Sequence, residues 1–264
     1  MQTSEIDMKT AAPFVDDVLR TAMDVGEGIL RCGGEIRRVE DTVTRICLAY
    51  GAEHVEVFTI TSLIIASVRM ADGSYSSQTR RILQNSTDLH RLRLYNEISR
   101  DICSSRMDIE EAQRRIKQAK HSKPYPTWVN YAGGVIGAGG FALFFGGSWL
   151  DALAAAVIGF IIMIMENSKP DFVSGMAQAT ISSFVAGVLC QLCMHFGLCH
   201  NVDTVIIGTI MLMIPGMTIG TAIRDMLCGD IATGSLRLTQ SLLLACVIAL
   251  GYGAAMILMG GILV

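Results

Sequence analysis

Residues 238–264 read LTQSLLLACVIALGYGAAMILMGGILV and carry no charged side chain. At about 1.5 Å per residue, such a helix is long enough to cross roughly 30 Å of hydrocarbon. A soluble helix of this composition would have no polar face to turn to water. The stretch therefore reads as a membrane span, and it sets the frame for the rest of the chain.

Charge is segregated along the 264 residues. Of 21 Lys and Arg, only Lys169, Arg224 and Arg237 lie beyond Trp128; of 24 Asp and Glu, only Asp151, Glu166, Asp171, Asp203, Asp225 and Asp230 do. A charge-rich first half thus precedes an almost uncharged second half. The expected fold is a cytoplasmic α+β domain over 1–124 followed by an α-helical polytopic membrane domain over 125–264. About five transmembrane helices are expected, near 129–147, 149–165, 172–198, 204–222 and 238–264, with Tyr125 and Trp128 at headgroup level where the first enters. The polar, acidic start MQTSEIDMKT offers no basic n-region or apolar run, so no signal peptide is expected. A net charge of −3 gives no sign of nucleic-acid binding.

Orientation follows from the basic residues. Arg114, Arg115, Lys117, Lys120 and Lys123 precede the first span. If that end is inside, the loops with Lys169 and with Arg224 and Arg237 also fall inside, whereas 146–148 and 199–203 hold no Lys or Arg. The expectation is a cytoplasmic N-terminal domain and an outside C-terminus.

In the first half, apolar periodicity predicts helices over 13–32, 36–50, 88–104 and 108–119. β-branched runs predict strands over 54–61, 63–70 and 78–83, with Asp72-Gly73 as a turn. No nucleophile–base pair emerges, and no enzyme activity is expected. Arg80-Arg81 and Arg91-x-Arg93 read as a wet face or a contact with lipid headgroups. Cys190 and Cys193 sit in an apolar run, where cysteine acts as a small hydrophobe, so no metal site is expected. Gly137-Ala-Gly139-x-x-Ala142 lacks the strand of a dinucleotide motif; Gly133-x-x-x-Gly137 instead suits close helix packing in lipid.

The polar residues at membrane depth are the candidates for transport chemistry. Pro215 and Gly216 interrupt the fourth span, with Thr218 and Thr221 beside the interruption; this is either a substrate-binding break or an ordinary kink. Gln178 and Ser182 share a helix face as i,i+4 neighbours and join the substrate-binding candidates. Arg224, Asp225 and Asp230 form either a gate or proton site at the inner mouth, or a solvated loop. His195 is either a proton group or an interhelical hydrogen-bond partner. Glu166 either pairs with Lys169 at the surface or turns inward as a protonatable carboxylate.

Specific motifs then accumulate: Ile214-Pro215-Gly216, Ala222-Ile-Arg224-Asp225-Met-Leu, Gly229-Asp230-x-x-Thr233-Gly234, Arg237-Leu238, Gly33-Gly34-Glu35, Val39-Glu-Asp41, Val55-Glu56-x-x-x-x-Thr61, Arg80-Arg81 and Tyr125-Pro-x-Trp128. Together they resemble the threonine/serine exporter (ThrE-like) family over nearly the whole chain, in the larger-subunit (YjjP-type) form of its two-component members. The resemblance implies a bacterial inner-membrane secondary exporter of threonine and serine or of a dicarboxylate such as succinate. It implies a small four-span (YjjB-type) membrane subunit as partner and leaves a higher oligomer open; no cofactor is expected. The competing expectation is a regulatory membrane subunit whose cytoplasmic domain senses a metabolite.

Overall fold

The computed structural model describes residues 3–83, 86–105, 107–122, 125–168 and 174–263, with side chains from Phe14 to Gly260. Lys123, Lys169, Asp171 and the expected starts and ends at Phe172 and Val264 lie outside the described residues. The chain divides into two compact units, one of residues 1–124 and 218–238, the other of residues 125–217 and 239–264.

The first unit is built around α1 (Thr3–Arg31), which begins ahead of the start suggested at Pro13. From Val15 to Leu30 its buried positions form one broad face: Val18, Leu19, Ala22, Met23, Val25 and Ile29 are fully enclosed, while Asp16, Arg20, Asp24 and Glu27 are exposed or half-buried along the other side. An apolar face this wide needs more than one neighbour to cover it. α2 (Ile36–Ala49), α3 (Leu89–Ser105), α4 (Ile109–His121) and a small sheet supply the cover. The sheet is an antiparallel meander of β1 (Ala52–Ile60), β2 (Leu63–Met70) and β3 (Tyr75–Arg81) in the order β1-β2-β3. Ile64, Ala66, Val68 and Met70 are buried while Ile65 and Arg69 are exposed, the period-2 alternation of a sheet with one covered face. β3 starts three residues before the expected strand, because polar Tyr75-Ser-Ser still pairs with Arg69, Val68 and Ser67.

Two of the arginines expected on a wet face are structural. Arg80 is half-buried and reaches Asp24 of α1 at 3.4 Å. Arg91 is half-buried and donates through Nε and Nη2 to Ser122 O, both at 3.2 Å, tying α3 to the residue after α4.

The second unit contains α5 (Thr127–Phe144), α6 (Trp149–Asn167), α7 (Gly175–His195), α8 (Val202–Ile210) and the later part of α10 (Ile231–Leu263). Among the described residues three helices are long and apolar enough to cross a membrane: Trp149–Asn167, Gly175–His195 and Ile231–Gly260. The first expected span is the Gly-rich, 18-residue α5. The fourth is divided between α8 and α9 (Gly216–Leu227), and the fifth starts seven residues early, at Ile231.

The packing seam of α5 differs from the expected one. Gly133 is exposed and a Cβ there would meet nothing within 4 Å, whereas Gly134, Ala138 and Ala142 are buried. A Cβ on Gly159 of α6 would fall 2.7 Å from Ala138 Cβ, and one on Gly208 of α8 would fall 2.6 Å from Ala138 O. The Gly133-Gly134 pair offers two i,i+4 rows one residue apart. The row from Gly133 runs into Phe141, the row from Gly134 into Ala142, and only the second is small throughout.

Candidate functional site

In the second unit, three of the anticipated polar residues meet where α6 and α7 pack together. Gln178 and Ser182 lie one turn apart on α7 and are buried. Gln178 Nε2 donates to Met165 O at 3.1 Å and to Ser182 Oγ at 3.4 Å, and Ser182 Oγ donates to Glu166 Oε1 at 3.3 Å. Glu166 is itself exposed. An exposed carboxylate is thereby linked to a buried amide–hydroxyl pair.

α8 stops at Ile210 and α9 starts at Gly216. Proline supplies no amide for the helical ladder, so the intervening turns tighten. Met213 N and Ile214 N both reach Ile210 O, at 2.8 and 3.1 Å, and Gly216 N reaches Ile214 O at 2.8 Å. Gly216 is exposed, and a Cβ there would meet nothing within 4 Å; close packing is not its reason for being glycine. Just before the break, Tyr252 OH donates to Thr209 Oγ1 at 2.8 Å in a buried contact between α10 and α8. Sequence reading passed over this pair. Its signal is a tyrosine in the uncharged stretch 238–264, whose hydroxyl must find a partner when buried.

A second feature missed in the sequence lies at the start of α6. Ser148 and Asp151 form a capping box, and Asp151 is 1% exposed. Asp151 Oδ2 accepts from Ser148 N and Oγ, both at 2.8 Å, while Oδ1 accepts from His200 N at 2.6 Å and Asn201 N at 3.0 Å. One carboxylate thus caps α6 and fastens the connection between α7 and α8. The Ser-x-x-Asp spacing was the available signal. His195 is exposed, its ring edge-on to Phe196 at 5.4 Å.

The remaining candidates belong to the first unit. Thr221 Oγ1 donates to Thr218 O at 3.0 Å, a local bond within α9. Arg224, Asp225 and Asp230 sit at the end of a helical hairpin formed by α9 and the start of α10. Gly229, at φ +102°, turns the chain: Gly229 N reaches Met226 O and Asp230 N reaches Asp225 O, the paired bonds of a Schellman motif. Gly234 lets the two helices approach, since a Cβ there would fall 2.7 Å from Ala222 O.

This hairpin locks onto the turn between α1 and α2. Gly33, at φ +85°, and Gly34 close α1 by the same motif, through Leu30 O and Ile29 O. Arg237 donates to Asp225 Oδ2 at 2.8 Å and to Gly34 O at 3.0 Å. Asp225 Oδ1 accepts from Ile36 N at 3.3 Å, so the carboxylate also meets an orphan amide at the N-terminus of α2. Side chains of Arg237 and Asp225 are 7% and 2% exposed. Burial pushes the Asp225 carboxyl above its ordinary range, and the Arg237 guanidinium opposes that shift. Outside this core, Arg224 Nη1 reaches Glu35 Oε1 at 2.8 Å on the surface. Asp225 is therefore no solvated loop residue, whereas Arg224 is exposed and Asp230 half-buried. Gly34, Glu35 and Arg237 join the site only in the folded chain; the sequence shows them as members of separate motifs, with nothing that connects one to another.

Known proteins supply the remaining comparison. The chain is 26% identical over 242 residues to "Probable threonine/serine exporter" of Mycobacterium tuberculosis, covering 89% of this chain and 45% of that protein. It is 24% identical over 251 residues to "Probable succinate transporter subunit YjjP" of Klebsiella aerogenes, covering 92% of this chain and 94% of that one. The "Threonine/serine exporter" of Corynebacterium glutamicum is 22% identical over 247 residues, covering 90% of this chain and 50% of its own. The chain thus spans about half the length of the two exporters and nearly all of the YjjP protein. No solved structure matches it significantly. A match of residues 20–259 to the sequence profile described as "Putative threonine/serine exporter" covers most of the chain, which belongs to the ThrE family.

Proposed function

We propose that this chain is one subunit of a bacterial inner-membrane secondary exporter for small polar metabolites, either threonine and serine or a dicarboxylate such as succinate. The observation that carries the subunit reading is the length relation. The chain aligns with about half of each exporter named for threonine and serine, but with 94% of a relative named a transporter subunit. The missing half would be supplied by a small four-span membrane subunit.

In this reading the chain crosses the membrane five times, through α5, α6, α7, residues 204–222 and residues 238–264, with residues 1–124 on the cytoplasmic side. The asymmetry of Lys and Arg supports that orientation. Substrate contacts are assigned to Pro215, Gly216, Thr218, Thr221, Gln178 and Ser182. Coupling and gating are assigned to Glu166, with Asp225, Asp230, Arg224 and His195 as further members. Glu166 takes the leading place because its exposed carboxylate bonds directly to buried Ser182. Protonation would weaken that acceptor and free the Ser182–Gln178 pair, which is the kind of local electrostatic event able to bias a transporter.

Inverted membrane vesicles provide the test. Accumulation of labelled substrate should require co-expression of the small subunit, collapse with a protonophore, and lose its pH dependence in Glu166→Gln. Parallel assays with threonine, serine and succinate choose the substrate. Transport by this chain alone, insensitive to the protonophore, would overturn both the subunit and the coupling claims.

A further inference from the structure

The first unit holds a cavity of about 340 Å³ between α1, α3 and α4 that none of the transport residues lines. Its volume is at the small end of the range for metabolite sites, about 300–1,000 Å³. One wall is the Tyr95 ring, seated on Gly28 so closely that a Cβ at Gly28 would lie 2.5 Å from Tyr95 Cε1. The Tyr95 hydroxyl makes no hydrogen bond to any described residue. Ile116 adds an apolar surface, and Gln113 an amide held by Thr21 Oγ1 at 3.3 Å.

The charges around the cavity are unevenly matched. Its two carboxylates are already neutralised: Asp24 lies 3.4 Å from Arg80, and Glu27 lies 3.0 Å from Arg31. Arg91 is paired with Asp88 at 3.4 Å and is further fixed by Ser122 O. Exposed Lys117 and Lys120 also line the cavity, one turn apart on α4; neither forms an ion pair within 4.0 Å with a described carboxylate, although Lys120 acts on the Asp24 carboxylate from a greater distance. Basic residues therefore outnumber carboxylates around a small space that also presents a phenol hydroxyl. A second account is that Lys120, in the last turn of α4, only complements the helix dipole. That account gives no role to Lys117, which lies a turn earlier, and predicts no ligand.

We propose that this cavity is a binding site for a small dianion, carrying two carboxylates or one phosphoryl group, held by Lys117 and Lys120 with the Tyr95 hydroxyl donating a hydrogen bond. The ligand acts on the first unit from the cavity, apart from the residues assigned to transport. The site is regulatory: its occupant bridges α4 to α1 and α3 and so stiffens the unit.

Isothermal titration on the purified full-length protein in detergent tests this, with malonate and inorganic phosphate as probes and acetate and threonine as controls. At least one dianion should bind about tenfold more tightly than acetate or threonine, and binding should weaken with salt. Lys117→Gln with Lys120→Gln should lower affinity about tenfold or more, and the paired Lys→Arg variant should stay within about threefold of the parent. Gln178→Ala should leave the lysine-dependent part of that binding unchanged. The comparison of malonate with phosphate identifies the anionic group. If neither dianion binds, if acetate or threonine binds equally well, or if binding survives the paired Lys→Gln change, the proposal is wrong. Loss of binding in Gln178→Ala with retention in the lysine variant would place the anion in the transport region and equally overturn it.

Discussion

Arg237→Ala isolates the buried lock between the hairpin and the α1–α2 turn. Asp225 is 2% exposed on its side chain, and Arg237 supplies its charged partner among the described residues at 2.8 Å while also serving Gly34 O at 3.0 Å. Removing one member of a buried pair costs about 3–5 kcal/mol, because the other charge stays buried. The Gly34 carbonyl, deprived of this donor, accounts for about 1–3 kcal/mol of a loss of this size. Exposed Arg224, by contrast, should cost below about 1 kcal/mol when replaced by Ala, although its 2.8 Å bridge is equally short. The pH dependence has a definite sign. Burial already raises the Asp225 carboxyl, and loss of Arg237 raises it further. A carboxyl raised in the folded state takes up its proton more readily folded than unfolded, so acidification through its folded pKa restores stability. The penalty of Arg237→Ala should therefore be largest above that pKa and shrink as the pH falls through it. Thermal denaturation of the purified full-length protein, followed by near-UV circular dichroism across pH, reads both effects. Together with Asp225→Ala and the double variant it completes a cycle, with an expected coupling of about 2 kcal/mol or more. A loss within about 0.5 kcal/mol, simple additivity, or a penalty that grows on acidification would refute the reasoning.

Other perturbations test separate parts of the fold. Asp151→Ala removes the α6 cap and the acceptor of His200 N and Asn201 N, and should cost about 2–4 kcal/mol in thermal denaturation, with Asp151→Asn recovering part of it. Gly234→Ala places a methyl against Ala222 O and Met226 and should destabilise by about 1–3 kcal/mol, whereas the same change at open Gly216 should lie within about 1 kcal/mol of the parent on the same melt. Tyr252→Phe forfeits one buried hydrogen bond to Thr209 and should cost about 1 kcal/mol, visible as earlier unfolding on the same melt.

Where the sequence could be read, local rules were at work. The uncharged run at 238–264, the alternation in 63–70 and the Pro215-Gly216 interruption each express relations between residues two to four apart, or a backbone property of one residue. Those relations are written in consecutive letters, so α2 begins at Ile36, β2 spans Leu63–Met70 and α8 gives way before α9, close to expectation. The Gly133/Gly134 ambiguity marks the limit of such rules, since either row satisfied the spacing and only the neighbours on α6 and α8 chose between them.

By itself, the sequence determined that this is a membrane protein with a charged N-terminal domain, and its dispersed motifs pointed to the ThrE family. Tertiary structure alone decided that residues 218–238 pack with that domain, that Glu166 meets Ser182, and that Asp225 sits between Arg237 and Ile36. Arg237 and Gly34 are 203 positions apart, and no periodicity connects residues so distant. Their meeting depends on how a glycine turn and a helical hairpin pack together, and the free energy of a buried charge then makes that meeting specific.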